Sequence, residues 1–182
     1  MRTYNRNIEF SFENKLQAEE RIDRYLTYYN FQRIEKSSDS IVYARKNSLL
    51  ADGWTINPLK WNTEIRIIIS SNRFFINYKN EGNGQITPLA FSNLFDNFLK
   101  NLKLSVLKGI SVKEENKREI TSAKKRIIAH GVVLIICGFF GLSIGYFFDK
   151  LIGVEFLSIL LFPLGLILSQ SAINLFIEEK LT

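Results

Sequence analysis

The sequence predicts a chain in two parts: an α+β head of β-α-β-β-β-β-α order, and a two-helix transmembrane hairpin. Three observations predict it. Short runs of alternating polar and apolar residues, separated by turn residues, recur before residue 81. Two stretches of the head repeat apolar residues at three- and four-residue steps, the helical period. Finally, residues 127–177 are almost free of charge and long enough to cross a bilayer twice. Burying the apolar stripes of the head calls for an antiparallel sheet with the helices on one face.

In chain order, Thr3 to Phe12 alternates, with Ile8, Phe10 and Phe12 on one side and Glu9 and Ser11 on the other, a half-buried strand. Asn14 can cap a helix over 15–29, whose stripe is Leu16, Ala18, Ile22, Tyr25, Leu26 and Tyr29, with Glu19, Glu20, Asp23 and Arg24 mostly outside. Asn30 suits the stop position. Two short strands, 31–36 and 41–46, flank Ser37-Ser38-Asp39-Ser40, a turn by composition. Two more, 63–70 and 73–80, flank Ser71-Asn72. Thr87 then caps a helix with Pro88 at its first position, and Phe91, Leu94, Phe95, Phe98, Leu99, Leu102 and Val106 give it a wide apolar stripe for the sheet.

This order resembles that of the TBP-like fold. The likeness is one of element order, no TBP sequence motif is present, and a fold does not supply a function. A larger helix-grip fold is the competing architecture, for which the chain is short of strands.

The segment 47–62 is long for a connection and apolar, with Leu49, Leu50, Trp54, Ile56, Leu59 and Trp61 broken by Gly53 and Pro58. Either it closes the open end of the sheet and adds its tryptophans to the core, or it is a lid, a partner-binding loop or an interfacial foot. On the second reading Trp54, Trp61, Arg45 and Arg66 are the candidate ligand- or partner-binding residues.

The chain has 182 residues and a formal net charge of +6. Residues 1–126 hold 22 Lys and Arg against 14 Asp and Glu, a net of +8. Such a balance suits an anionic surface, lipid headgroups or nucleic acid, although ordinary solvated charge accounts for it too. Arg33, Arg45, Lys46, Arg66, Arg73 and Lys79 with Tyr43 and Tyr78 would make a basic, aromatic platform if they shared an exposed sheet face. Nucleic acid is nevertheless an unexpected partner for a membrane-tethered chain. The single cysteine, Cys137, excludes an intramolecular disulfide and a cysteine-based zinc site. The one histidine, His130, lies in the first apolar segment, so no Ser-His-Asp or Cys-His site can form in the head. Phosphate-loop, dinucleotide and metalloprotease motifs are absent from the sequence. The expectation is therefore no enzyme, no catalytic residue, no metal and no cofactor.

Met1 to Phe12 is not a signal peptide, which keeps the head on the side of synthesis. The expected organisation is a soluble α+β domain over 1–109, a basic juxtamembrane helix or linker over 110–126, and a first span over 127–148. An external turn at 149–150, a second span over 151–177 and a cytoplasmic tail over 178–182 complete it. Lys117, Arg118, Lys124, Lys125 and Arg126 crowd the start of the first span, which places that end inside. Both termini are then cytoplasmic. The Asn-, Ile-, Lys- and Phe-rich usage points to a bacterium with an AT-rich genome, and the membrane to a bacterial inner membrane.

Small residues form matched stripes on the two segments: Gly131, Gly138, Gly141 and Gly145 on the first, Ser158, Gly165, Ser169 and Ala172 on the second. Such stripes let helix backbones approach closely, within a hairpin or between subunits, so a homo-oligomer is expected. Pro163 should kink the second span. His130 falls near the depth of Gln170 and Asn174, an intramembrane polar cluster that either fixes register or acts as a proton-sensitive site. The functional expectation is a membrane-anchored interaction or sensor module binding a protein or small ligand through its head. The alternative is an oligomeric membrane-active effector or small channel gated by the head.

Overall fold

The computed structural model describes residues 3–45, 57–81, 88–152 and 163. The chain divides into two compact units, Met1–Lys124 and Lys125–Thr182.

The first unit is α+β. Its elements are β1 (Tyr4–Ser11), α1 (Lys15–Tyr28), β2 (Gln32–Lys36), β3 (Ser40–Arg45), β4 (Thr63–Ser70), β5 (Arg73–Asn80) and α2 (Ser92–Lys108), then α3 (Lys113–Ile152), which runs on into the second unit. The five strands form one antiparallel sheet in the order β1-β5-β4-β3-β2. Strict alternation in β4 and β5 buries Ile65, Ile67, Ile69, Phe74, Ile76 and Tyr78 and leaves Arg66, Ile68, Arg73, Phe75 and Lys79 outside. The inner face meets both helices. Phe95 of α2 packs on Tyr4 and Tyr78 at 5.1 and 5.5 Å between ring centres. From α1, Asp23 accepts a 2.9 Å hydrogen bond from the Tyr43 hydroxyl. Burying side chains of this size supplies roughly 1.5–3 kcal/mol each.

The termini of α1 follow from local chemistry. The Asn14 carboxamide accepts from the Gln17 amide at 3.1 Å, so Asn14 caps the helix as its side chain predicts. At the other end Asn30 is left-handed, φ +63°, and its amide donates to Thr27 O while that of Phe31 donates to Leu26 O. This pair of bonds is a Schellman closure. Phe31 and Leu26, the positions of its usual hydrophobic contact, are both buried. Two stripe assignments change places. Leu16 is 79% exposed, whereas Glu19 is buried and reaches Lys36 at 2.8 Å and Lys15 at 3.8 Å. Residue 16 lies two positions before Ala18, which on a helix is nearly the opposite side, while residue 19 adjoins the Ala18–Ile22 row.

The second helix starts differently from the sequence expectation. Pro88–Phe91 is a 3-10 turn and the α-helix begins at Ser92, with no side-chain cap. The tighter turn carries Phe91 into the core, edge-on to Trp61 at 5.4 Å. Thr87 lies outside the described residues. Gly109, φ +66°, ends α2 in the left-handed conformation with its amide on Ser105 O at 3.0 Å.

Among the described residues one helix is long and apolar enough to cross a membrane, the stretch Lys113–Leu151 of α3, with a window of mean hydropathy 2.4. Ile135, Ile136, Phe139, Phe140, Tyr146 and Phe147 along it are exposed, as lipid-facing side chains would be. The helix runs through Asp149-Lys150, the expected external turn, as far as Ile152, and apart from Leu151, Ile152 and Pro163 the segment expected as the second span lies outside the described residues.

Candidate functional site

The first unit carries an open groove of about 770 Å³ that is suited to binding. One wall is α1 from Glu20 to Tyr28, with Tyr29 just past its end. The other comprises Ser105 of α2, the connector 109–112 and Lys113, the first residue of α3. A volume of this size accommodates a drug-sized molecule.

Two cations shape it. Arg21 donates from Nη1 to Val106 O at 2.7 Å and more weakly to Leu107 O at 3.5 Å, so its guanidinium terminates α2. Gly109 permits this, because a Cβ there would stand 3.2 Å from Nη2. The Lys113 ammonium sits 4.2 Å from the centre of the Tyr28 ring, a cation–π contact that fixes it over the groove. Among the described residues neither cation has a carboxylate within ion-pair distance. The two carboxylates on the wall are committed elsewhere. Glu20 holds Arg24 at 2.6 Å, and Asp23 takes the Tyr43 hydroxyl at 2.9 Å and Arg33 at 3.4 Å.

Behind the groove, one asparagine joins three helices. Asn116, 2% exposed, donates from Nδ2 to the hydroxyls of Tyr25 and Tyr29, each at 2.7 Å, and accepts from Asn101 Nδ2 at 2.8 Å. The Tyr25 hydroxyl in turn donates to Phe98 O at 2.9 Å. With Val112 and Ala123 also buried, this network fastens the first turns of α3 to α1 and α2. Burial pushes the Tyr25 and Tyr29 hydroxyls above their ordinary value, partly offset by the Asn116 hydrogen bond, so both stay protonated at neutral pH.

Among the described residues, those named from sequence do not converge. Trp61 is 1% exposed against Phe91, which makes it core rather than a lid. Trp54 lies outside the described residues. Arg45 is half-buried and donates to Tyr29 O at 2.7 Å and Leu59 O at 3.5 Å; burial lowers its pKa. Arg66 is exposed beside Glu64 at 3.3 Å. Along β3, Arg45 shares the parity of the inner-facing Ile41 and Tyr43, whereas Arg66 falls between the inner-facing Ile65 and Ile67 of β4. The two arginines therefore belong to opposite faces of the sheet. Nor does a basic, aromatic platform form. Tyr43 and Tyr78 are fully buried, and the outer-face cations are paired, Arg66 with Glu64, Arg73 with Glu9 and Lys79 with Glu81. Arg33 is engaged by Asp23, and Lys46 lies outside the described residues. The strand period that puts the isoleucines inside puts those tyrosines inside too.

Comparison with protein-family models, curated proteins and solved structures finds no match.

In α3, Gly138 and Gly145 are buried and Gly131 and Gly141 half-buried, so the glycine stripe is the least exposed side of the apolar stretch. His130 is half-buried. Ser158, Gly165, Ser169 and Ala172, together with Gln170 and Asn174, lie outside the described residues. Sequence reasoning misses the groove residues Arg21, Tyr28 and Lys113 because Lys113 is far from the other two in sequence and the set matches no motif. The one available signal is Gly109 between two helices, which marks a close approach.

Proposed function

We propose that the chain is a membrane-anchored interaction or sensor module. Its α+β unit binds a small ligand or protein segment in the groove between α1 and the α2–α3 connector, and the apolar remainder anchors and oligomerises it. The observation that carries this reading is the shared helix: Lys113 lines the groove, Asn116 is locked behind it, and the same helix contains the candidate span. The reading includes the two-span hairpin, with both termini cytoplasmic in a bacterial inner membrane; the basic run at 117–126 supports the cytoplasmic side for the start of the first span. The sheet order, with both helices on one face, is in keeping with the TBP-like likeness of element order, which assigns no residue role.

An anchor exchange tests it. Residues 1–126 are fused to an unrelated pair of spans, keeping Val112, Asn116 and Ala123 because they pack into the first unit. Capture of the same cytoplasmic partners by the fusion and the intact protein is expected. Loss of capture by the fusion, with depolarisation on induced expression of the intact chain that Gly138→Leu abolishes, would overturn the module in favour of a membrane-active effector.

A further inference from the structure

We infer that the groove binds a phosphate-bearing organic anion of about mononucleotide size. This deepens, and rests on, the reading of the groove as the binding site of the module.

Charge is the first consideration. Arg21 and Lys113 face the groove with no carboxylate partner among the described residues, while Glu20 and Asp23 are engaged by Arg24 and by Arg33 with Tyr43. An uncharged ligand would leave both cations without a counter-charge in a partly closed space, and an anion would use them.

The second is the geometry of the donors. Nη1 of Arg21 is committed to the end of α2, which holds the planar group still and leaves the edge carrying Nε and Nη2 for a ligand. The ammonium of Lys113 is likewise positioned by Tyr28. Ser105, Ser111 and Thr27, which carry hydroxyls, also line it. A fork, a point charge and hydroxyl-bearing residues on both walls suit a tetrahedral oxyanion with three free oxygens better than a flat carboxylate with two.

The third is the apolar part. Tyr28 is 54% and Ile110 51% exposed, and both line the groove. Together they offer a surface on which a planar base or ring can rest. The volume of about 770 Å³ admits such a body beside the phosphate.

The test is equilibrium dialysis of the full chain in nanodiscs with ADP as probe, and with benzoate as a planar carboxylate of similar ring character. Saturable binding of ADP, not of benzoate, is expected, and it should weaken as salt is raised. Lys113→Glu should weaken it about tenfold or more, because it reverses a charge next to the anion. Tyr28→Ala should weaken it as well, whereas Arg66→Gln on the outer sheet face should not. Lys113 and Tyr28 are exposed, so these variants keep the fold. No saturable ADP binding, equal binding of benzoate, or binding indifferent to both groove variants overturns the assignment. The anchor exchange above contains no nucleotide, so failure of the module reading would be seen separately.

Discussion

Replacing Asn116 by alanine should loosen the start of α3 from the first unit. The carboxamide makes three hydrogen bonds in a site that is 2% exposed. A net value of about 1 kcal/mol for each gives a loss of about 3 kcal/mol. The three do not contribute equally. Tyr25 keeps its bond to Phe98 O, whereas Asn101 Nδ2 loses its acceptor and the Tyr29 hydroxyl loses its donor. Orphaning those groups carries most of the cost. Hydrogen–deuterium exchange on the full chain in nanodiscs reads this directly, because local opening of residues 113–123 becomes easier by the same free energy. A loss of that size raises exchange there by roughly two orders of magnitude, since about 1.4 kcal/mol is tenfold. Lys117→Ala, one position along on the exposed side, should leave exchange unchanged. If Asn116→Ala changes exchange less than about fivefold, the network is not what holds the helix, and the apolar contacts of Val112 and Ala123 carry the attachment instead.

Other perturbations should read as follows. Gly109→Ala places a Cβ at φ +66° and 3.2 Å from Arg21 Nη2, so a destabilisation of about 1–2 kcal/mol is expected in chemical unfolding, with Gly109→Asn milder. Tyr25, Tyr29 and Tyr43 all have pKa values raised above 10.0, chiefly by burial. Their stabilisation is fully present below the unfolded value and is lost as pH climbs from about 10 toward the folded values, so the melting temperature should fall on the alkaline side. Arg66→Gln removes one exposed pair with Glu64 and should change stability by less than about 0.5 kcal/mol. Gly138→Leu adds a side chain to the least exposed side of the apolar stretch of α3 and should disrupt assembly measured by energy transfer between labelled copies, leaving the fold of residues 3–124 intact by exchange.

Much of the first unit is legible in the sequence because it obeys simple periods. Burial alternates without interruption along Thr63–Ser70 and Arg73–Asn80, even though Ile68 and Phe75 put apolar residues on the outer face, and Ser71, φ +51°, makes the two-residue turn between them. Asn14 and Asn30 mark the ends of α1 through chemistry that is local. What cannot be read locally depends on distant partners. Glu19 is buried because Lys36 comes from a separate strand, and Asn116 is buried because two tyrosines about ninety residues earlier reach it. Trp61 is ambiguous in the sequence for the same reason, since a tryptophan in an apolar loop looks alike whether Phe91 covers it or not. The groove belongs wholly to this class.

The pairing of every outer-face cation on β4 and β5 with a neighbouring carboxylate has a consequence for how the protein meets its surroundings. Side by side, such pairs act as small dipoles whose fields die away within a few ångströms, so that wall is electrically quiet at a distance. Lys124, Lys125 and Arg126 are exposed and pair with no carboxylate among the described residues. Among the described residues the long-range field therefore owes little to the outer sheet face and more to unpaired cations such as these three. A negatively charged body approaching in dilute salt would be drawn to such cations before the sheet, and at high ionic strength it would find the two regions alike.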